Sequence, residues 1–265
     1  MIDIRPMKLE DWEELHMIDV EIFPDDPLEE ESFRKWLGRD GCFVLLHDDQ
    51  IAGHLIVARF GQDEGHLGRI GVAKAHQKRG FGSVLMEYSI NWFQKQGGIR
   101  QVHLYTQDFN LSAQSLYKKY GFEKTGTTWH FFVPYNSVSP RHEYSCQTIQ
   151  DDEIEFVGEK FPELPAKQIR RYLSDEEYIV LTLKDHNGNI EGACRFTPSF
   201  PGCFPFKITH TDCFDDFING MREFSLPEYD YVRATFTDLP ELAKLCESRN
   251  YKLHHRLFKM SLSLE

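Results

Sequence analysis

The sequence predicts an α/β protein, more closely an α+β arrangement: two tandem domains, each a mixed central sheet flanked by helices. Three observations predict it. Short apolar runs of strand length alternate with stretches whose apolar residues recur at helical spacing. A Pro/Asn/Ser stretch at 134–140 interrupts this pattern near mid-chain. The order of elements before it recurs after it, as in an internal repeat.

Residues 2–5 read as a short strand stopped by Pro6. Residues 9–22 carry Leu9, Trp12, Leu15, Ile18 and Ile22 at helical spacing, and residues 24–27 break that helix. A second helix covers 29–37, with Phe33, Trp36 and Leu37 on one face. Residues 42–46 and 51–60 are strands around the turn His47-Asp48-Asp49-Gln50, and 66–72 is a third. After a basic, glycine-containing loop at 77–82, residues 83–96 form an amphipathic helix ended by Gly97-Gly98. A strand at 102–106, a helix at 112–120 closed by Gly121 and a strand at 128–133 complete the half.

The second half reads as helical in pattern over 152–173, with strands at 178–183, 190–196 and 204–209, a helix at 214–224, a strand at 231–236, a helix at 240–249 and a strand at 255–262. An ungapped offset of 129 places Leu116 on Leu245 and Phe122 on Tyr251. The expected domains are therefore 1–136 and 140–265.

Composition narrows the function classes. With 41% hydrophobic and 27% charged residues, the chain is ordinary globular material. No apolar run approaches the roughly 20 residues that span a bilayer, and the N-terminus has no signal pattern, so a cytoplasmic protein without membrane contact is expected. The six cysteines form no C-x-x-C pair, which argues against a zinc or redox motif. His210-Thr-Asp212-Cys213 matches no standard zinc spacing either, so no metal is expected. A net charge of −12 disfavours nucleic acid as a partner. The charge is uneven. Residues 1–50 hold 15 acids and 5 bases, whereas residues 51–100 hold 3 acids and 7 bases. A negative surface beside a positive one suits a cationic acceptor and an anionic cofactor.

The chemistry points to residues 67–86, an apolar strand, a short turn and a helix start. Backbone N–H groups of such a turn, with those of the first helical turn, form an anion pocket. Gly80 and Gly82 allow close backbone approach, and Lys78 and Arg79 add positive charge. A pyrophosphate is the natural guest. Neither the dinucleotide nor the P-loop glycine spacing occurs.

Gln77-x-x-Gly80-x-Gly82 after an apolar strand resembles the acetyl-coenzyme A signature of the GNAT N-acetyltransferase superfamily. Asn110-Leu-Ser-Ala113-Gln-Ser-Leu116-Tyr117, ending in Gly121-Phe122, resembles the family's later helix. Residues 19–24 resemble its passage into the acceptor loop. The resemblance covers about residues 1–135 and implies two GNAT-like domains in tandem.

It further implies pyrophosphate binding by Gln77, Lys78, Arg79, Gly80, Phe81, Gly82 and Ser83, and pantetheine binding along Ile70, Gly71 and Val72, with Asn110, Ala113 and Tyr117 lining the cofactor. A splay between the strands at 66–72 and 102–106 is expected to form the cleft. Tyr117 occupies the family's usual acid position. Where many members carry a Glu base, this chain has His66, and alternation puts Glu64 on the same strand face. Glu21 and Asp25 are lesser candidates near the acceptor loop.

The expected activity is acetyl transfer from acetyl-CoA to a primary amine, on a small-molecule or peptide acceptor, by direct attack in a ternary complex. An acyl-CoA sensor without catalysis and a transferase of larger acyl groups stay open. The offset of 129 maps Gln77–Gly82 onto Phe206–Thr211, and no Gly-x-Gly occurs from 151 to 265. The second half is therefore expected to be a degenerate copy that does not bind CoA and serves as support, acceptor wall or homodimer contact.

Overall fold

A computed structural model describes residues 1–60 and 63–264. The chain forms two compact units, Met1–Thr125 with Phe258–Glu265, and Gly126–Leu257. These do not coincide with the split at 136–140, because the boundaries cut the final strand of each repeat, after Thr125 in one and after Leu257 in the other.

The first unit runs β1 (Ile2–Pro6), α1 (Trp12–Ile22), α2 (Glu30–Leu37), β2 (Cys42–His47), β3 (Gln50–Phe60), β4 (Glu64–Val72), α3 (Phe81–Lys95), β5 (Gln101–Gln107) and α4 (Leu111–Lys119). Its sheet has the order β1-β2-β3-β4-β5, and the last residues of β12 (Lys252–Ser263) lie beside β5. The β2–β3 hairpin turns on Asp48 and Asp49, with φ of 52° and 65°. Two left-handed residues in a two-residue turn match the twist of paired strands. One sheet face packs Leu55, Leu67 and Leu104 against Leu85 and Phe93 of α3, with Phe122 and Met260. The other packs Val44 and Ile56 against Leu15 of α1 and Phe33 of α2.

The second unit contains most of β6 (Glu123–Pro134), then β7 (Tyr144–Thr148), α5 (Ile154–Lys160), α6 (Ala166–Leu173), β8 (Ile179–Asp185), β9 (Ile190–Thr197), β10 (Gly202–Ile208), α7 (Phe214–Met221), β11 (Tyr231–Thr237) and α8 (Pro240–Ser248). Its sheet order is β6-β11-β10-β9-β8-β7. Strand β7 has no counterpart in the expectation from sequence. The stretch of helical pattern over 152–173 forms two helices, with Pro162 and Pro165 between them.

Element for element the two halves are the same. The offset is not constant, however. It falls from 142 between Ile2 and Tyr144 to 129 between Glu123 and Lys252, so insertions and deletions separate the copies. The connection equivalent to the basic loop is the one between β10 and α7, residues 209–213, rather than 206–211.

Candidate active site

The loop between β4 and α3 is shaped by two left-handed residues, Lys78 (φ 59°) and Gly80 (φ 87°). Alternation of left-handed with ordinary backbone turns successive N–H groups toward one side, a concave anion nest. The Gln77 side chain anchors it by donating from Nε2 to the Val72 carbonyl at 3.0 Å. The Gly80 carbonyl accepts from the Ser83 and Val84 amides at 3.0 and 3.2 Å, which starts α3 at Phe81. The first-turn amides of α3 therefore lie against the nest, at the positive end of the helix.

The two glycines do different work. At Gly80 a Cβ would meet nothing within 4 Å, so the positive φ sets the requirement. At Gly82 a Cβ would come to 3.2 Å from Leu116, so that glycine also sets how closely α3 and α4 approach. Phe81 is buried in the core and offers its backbone alone. Lys78 and Arg79 are exposed. Lys119 brings a third cation, donating to Ser83 Oγ at 3.3 Å. Its contribution depends on the close approach of α4, which no local pattern encodes.

Strand β4 pairs with β3 from Glu64 to Val72, with a bulge at Gly68. Its parallel pairing with β5 covers Glu64, Gly65 and His66 and, among the described residues, ends at His66–His103. From Leu67 onward the edge of β4 toward β5 has no ladder partner. That is the splay, and it leaves the backbone of Ile70, Gly71 and Val72 on an open edge. Gly71 is also held close, since a Cβ there would lie 2.9 Å from the His54 ring. Across the cleft, Asn110 caps α4 by accepting from the Ala113 amide at 3.1 Å, and Gln114 ties α4 to the end of β5. Tyr117 is 7% exposed, and burial pushes its hydroxyl up to about 12, so it keeps a proton to donate near neutral pH.

Val102, Leu104 and Thr106 face the α3 side, so alternation places His103 and Tyr105 on the opposite face. His66 joins them there, 5.0 Å from the His103 ring and 6.2 Å from Tyr105. His66 Nδ1 is buried and has no hydrogen-bond partner among the described residues. Burial lowers the His66 pKa, with Lys259 adding to this and a backbone hydrogen bond at His103 opposing it. Burial, then His66 and Lys259, take His103 down to about 3. Both rings are neutral near pH 7. Glu64 is exposed at the outer end of the strand.

A second cluster fixes the passage after α1. Fully buried Asp19 takes a bidentate pair from Arg69, Nε to Oδ1 and Nη2 to Oδ2, both at 2.7 Å. Its Oδ2 also accepts from the Leu28 amide at 2.7 Å, and His54 Nε2 lies 3.0 Å from Oδ1. Burial alone would raise the carboxyl pKa, but His54 and Arg69 hold it below its ordinary value. Arg69 also donates to the Asp26 carbonyl and lies 4.1 Å over the Phe23 ring. Residues 23–28 are thus fastened to β4. Of the lesser candidates, Glu21 accepts from the Lys74 amide at 3.3 Å, and Asp25 is exposed. Among the described residues no group of His, Cys, Asp or Glu is arranged to hold a metal ion.

Nest, splay and capped helix lie on neighbouring elements of one mixed sheet, β4, β5, α3 and α4. The Acetyltransferase (GNAT) family model matches residues 7–122, and this part of the chain is a GNAT domain. Enzymes of that family use acetyl-CoA. Among solved structures, a putative acetyltransferase from Pyrococcus horikoshii has a TM-score of 0.70 at 17% identity, with 100% of this chain and 90% of that chain covered. A GCN5-related N-acetyltransferase from Sphaerobacter thermophilus has 0.73 at 15%, covering 99% and 95%. A tandem GNAT protein from the clavulanic acid biosynthesis pathway has 0.67 at 12%, covering 99% and 98%. At such identities the likeness shows the fold alone, a mixed α/β fold with a mixed sheet flanked by helices. No curated protein matches the chain. No helix among the described residues is long and apolar enough to cross a membrane.

Proposed function

We propose that this protein is an acetyl-CoA-dependent N-acetyltransferase whose first unit moves an acetyl group to a primary amine by direct attack in a ternary complex. The observation that carries this is the end of β4–β5 pairing at His66–His103, next to a loop of two left-handed residues leading into α3. Acetyl-CoA would supply the activated acetyl group as a thioester. The amides from Gln77 to Ser83, with Lys78, Arg79 and Lys119, hold its pyrophosphate, and the open β4 edge at Ile70–Val72 pairs with its pantetheine arm, lined by Asn110 and Ala113. A backbone N–H near Val72 polarises the thioester carbonyl.

The amine must be neutral to attack. His66 accepts its proton, directly or through a water, because it is uncharged near neutral pH and lies on the floor of the cleft. Glu64, exposed at the strand's outer end, is the second candidate. Tyr117 donates to the departing sulfur. The acidic first fifty residues, with Asp25 and Asp26 exposed after α1, favour a cationic acceptor.

The second unit is proposed to be degenerate and not to bind CoA. Its β10–α7 connection, Thr209-His-Thr-Asp-Cys213, has no glycine. The first turn of α7 carries Asp215 and Asp216, and buried Asp216 accepts from the amides of His142, Glu143 and Tyr144 at 3.0, 2.9 and 3.1 Å. An anion approaching that helix end meets two carboxylates.

The test is thermal unfolding with acetyl-CoA, CoA or buffer, followed by thiol release with a panel of amines. Ligand at 100 times its Kd adds about 2.7 kcal/mol. The shift should vanish in Gly80→Trp/Gly82→Trp. No shift in the unaltered protein sinks the proposal, and a shift without thiol release from any amine leaves an acyl-CoA sensor.

A further inference from the structure

Side chains at the end of β4 alternate between the two faces of the sheet. Ile70 and Val72 pack against the core on the α3 side. Arg69 and Gly71 face α1, where Arg69 meets Asp19. The space over Gly71 on that face is already full. A Cβ added there would come to 2.9 Å from His54 Cε1, 3.1 Å from Ile22 Cδ1 and 3.2 Å from Phe23 Cε2. His54 reaches this place as the ladder partner of Gly71 on β3. Ile22 and Phe23 reach it as the last residue and the C-cap of α1.

These two residues are held in place. The Phe23 amide donates to the Asp19 carbonyl at 2.7 Å, which closes α1. Arg69 lies 4.1 Å over one face of the Phe23 ring, and both carboxylate oxygens of Asp19 fix that guanidinium. The guanidinium covers a ring face, whereas the ring edge at Cε2 stands over Gly71. On a further side the ring meets His54 edge-on, with centroids 6.1 Å apart. Ile22 and Phe23 are only half-buried, so they border open space beside β4 as well as the packed interior.

We propose that Ile22 and Phe23 form an acyl stop, which restricts the transferred group to acetyl and rejects longer chains. The stop rests on the acetyl-CoA reading, in which pantetheine lies on the open edge of Ile70–Val72 and the thioester carbonyl near Val72. An acyl chain leaving that carbonyl cannot turn over β4 on either face. Ile70 and Val72 take one face, and Ile22, Phe23 and His54 take the other. The two stop residues act by occupying volume and need no free ring face. Each methylene beyond acetyl has to displace a side chain that the Asp19–Arg69 pair holds, and close-packed groups resist such overpacking.

The experiment compares acetyl-, propionyl-, butyryl- and hexanoyl-CoA on the full chain, by thiol release with the best amine of the panel and by calorimetric Kd without amine. In the unaltered protein, preference should fall about tenfold or more for each added methylene. Ile22→Ala and Phe23→Ala should each raise the butyryl-to-acetyl ratio by about tenfold or more. Ile22→Leu, of equal volume, should leave the ratio near its starting value. The ratio separates a stop from a structural role, because a variant that merely loosens the fold weakens every acyl-CoA together. Where no amine releases thiol, the same ratio is read from the Kd values. The stop is overturned if the unaltered protein takes butyryl-CoA as well as acetyl-CoA, or if both alanine variants keep the original ratio. In either case acetyl-CoA still binds and the acetyl-CoA reading stands. Failure of both CoA and acetyl-CoA to bind removes that reading, and the stop with it.

Discussion

Asp19 shows how much one buried carboxylate does. It joins α1, β3, β4 and the passage after α1 through Arg69, His54 and the Leu28 amide. Removing one partner of a buried ion pair leaves the other charge uncompensated, at about 3–5 kcal/mol. Asp19→Ala should therefore lower the unfolding free energy from denaturant titration by that amount, and at permissive temperature raise KM for the amine more than KM for acetyl-CoA. Equal effects on both would remove the acceptor loop from the explanation. His103 gives a pH prediction. Its folded pKa of about 3 lies below the ordinary 6.5, so the unfolded chain binds a proton that the native chain does not. Its contribution is complete above pH 6.5 and is lost as pH falls toward 3, at up to about 1.4 kcal/mol per pH unit. Urea unfolding followed across that range should show the slope, and His103→Gln should flatten it. An unchanged slope would mean that His103 is solvated and titrates normally.

At the scale of elements, what the sequence encodes locally was legible in it. The Gln77–Gly82 loop, the Asn110 cap and the hairpin at Asp48–Asp49 each depend on residues within a few positions of one another, so pattern reveals them. The interrupted helix was also local. Pro162 and Pro165 stand in the sequence between the two helices. Strand β7, Tyr-Ser-Cys-Gln-Thr, carries little hydrophobic alternation and is held as an edge strand by pairing with β8 from Tyr144 to Thr148. The site residues that went unseen are non-local. His103 and Tyr105 look like strand filler until parallel pairing brings them to His66, and Arg69 looks like an exposed strand cation until α1 presents Asp19. Lys119 acquires its place only because Gly82 lets α4 approach α3. The offset of 129 holds from α4 onward, where Leu116 and Leu245 are equivalent, and fails before it, since a repeat with insertions keeps its order of elements while losing its register.

At the scale of the whole molecule, the composition of the first unit decides what can be cut. Phe258–Glu265 belong to it although more than a hundred residues separate them from Thr125. Met260 is 1% exposed in its core, and Phe258, Leu262 and Leu264 pack against the same cluster. Ser261 bonds Thr125 at 2.8 Å, and the Leu264 amide donates to the Arg100 carbonyl at 2.8 Å. Fully burying one such side chain contributes about 1.5–3 kcal/mol, so this segment rivals the 5–15 kcal/mol of a typical domain. A chain ending at residue 136 leaves the edge of β5 bare and strands Phe131 and Val133 of β6 without the β11 partner that buries them. It should lack cooperative unfolding and show no acetyl-CoA shift. Residues 1–125 joined to 258–265 by a flexible linker should recover both. Cooperative unfolding and normal cofactor stabilisation of the 1–136 fragment would mean that β6 can take the place of β12 beside β5, and that the exchange of final strands is a matter of connectivity rather than stability.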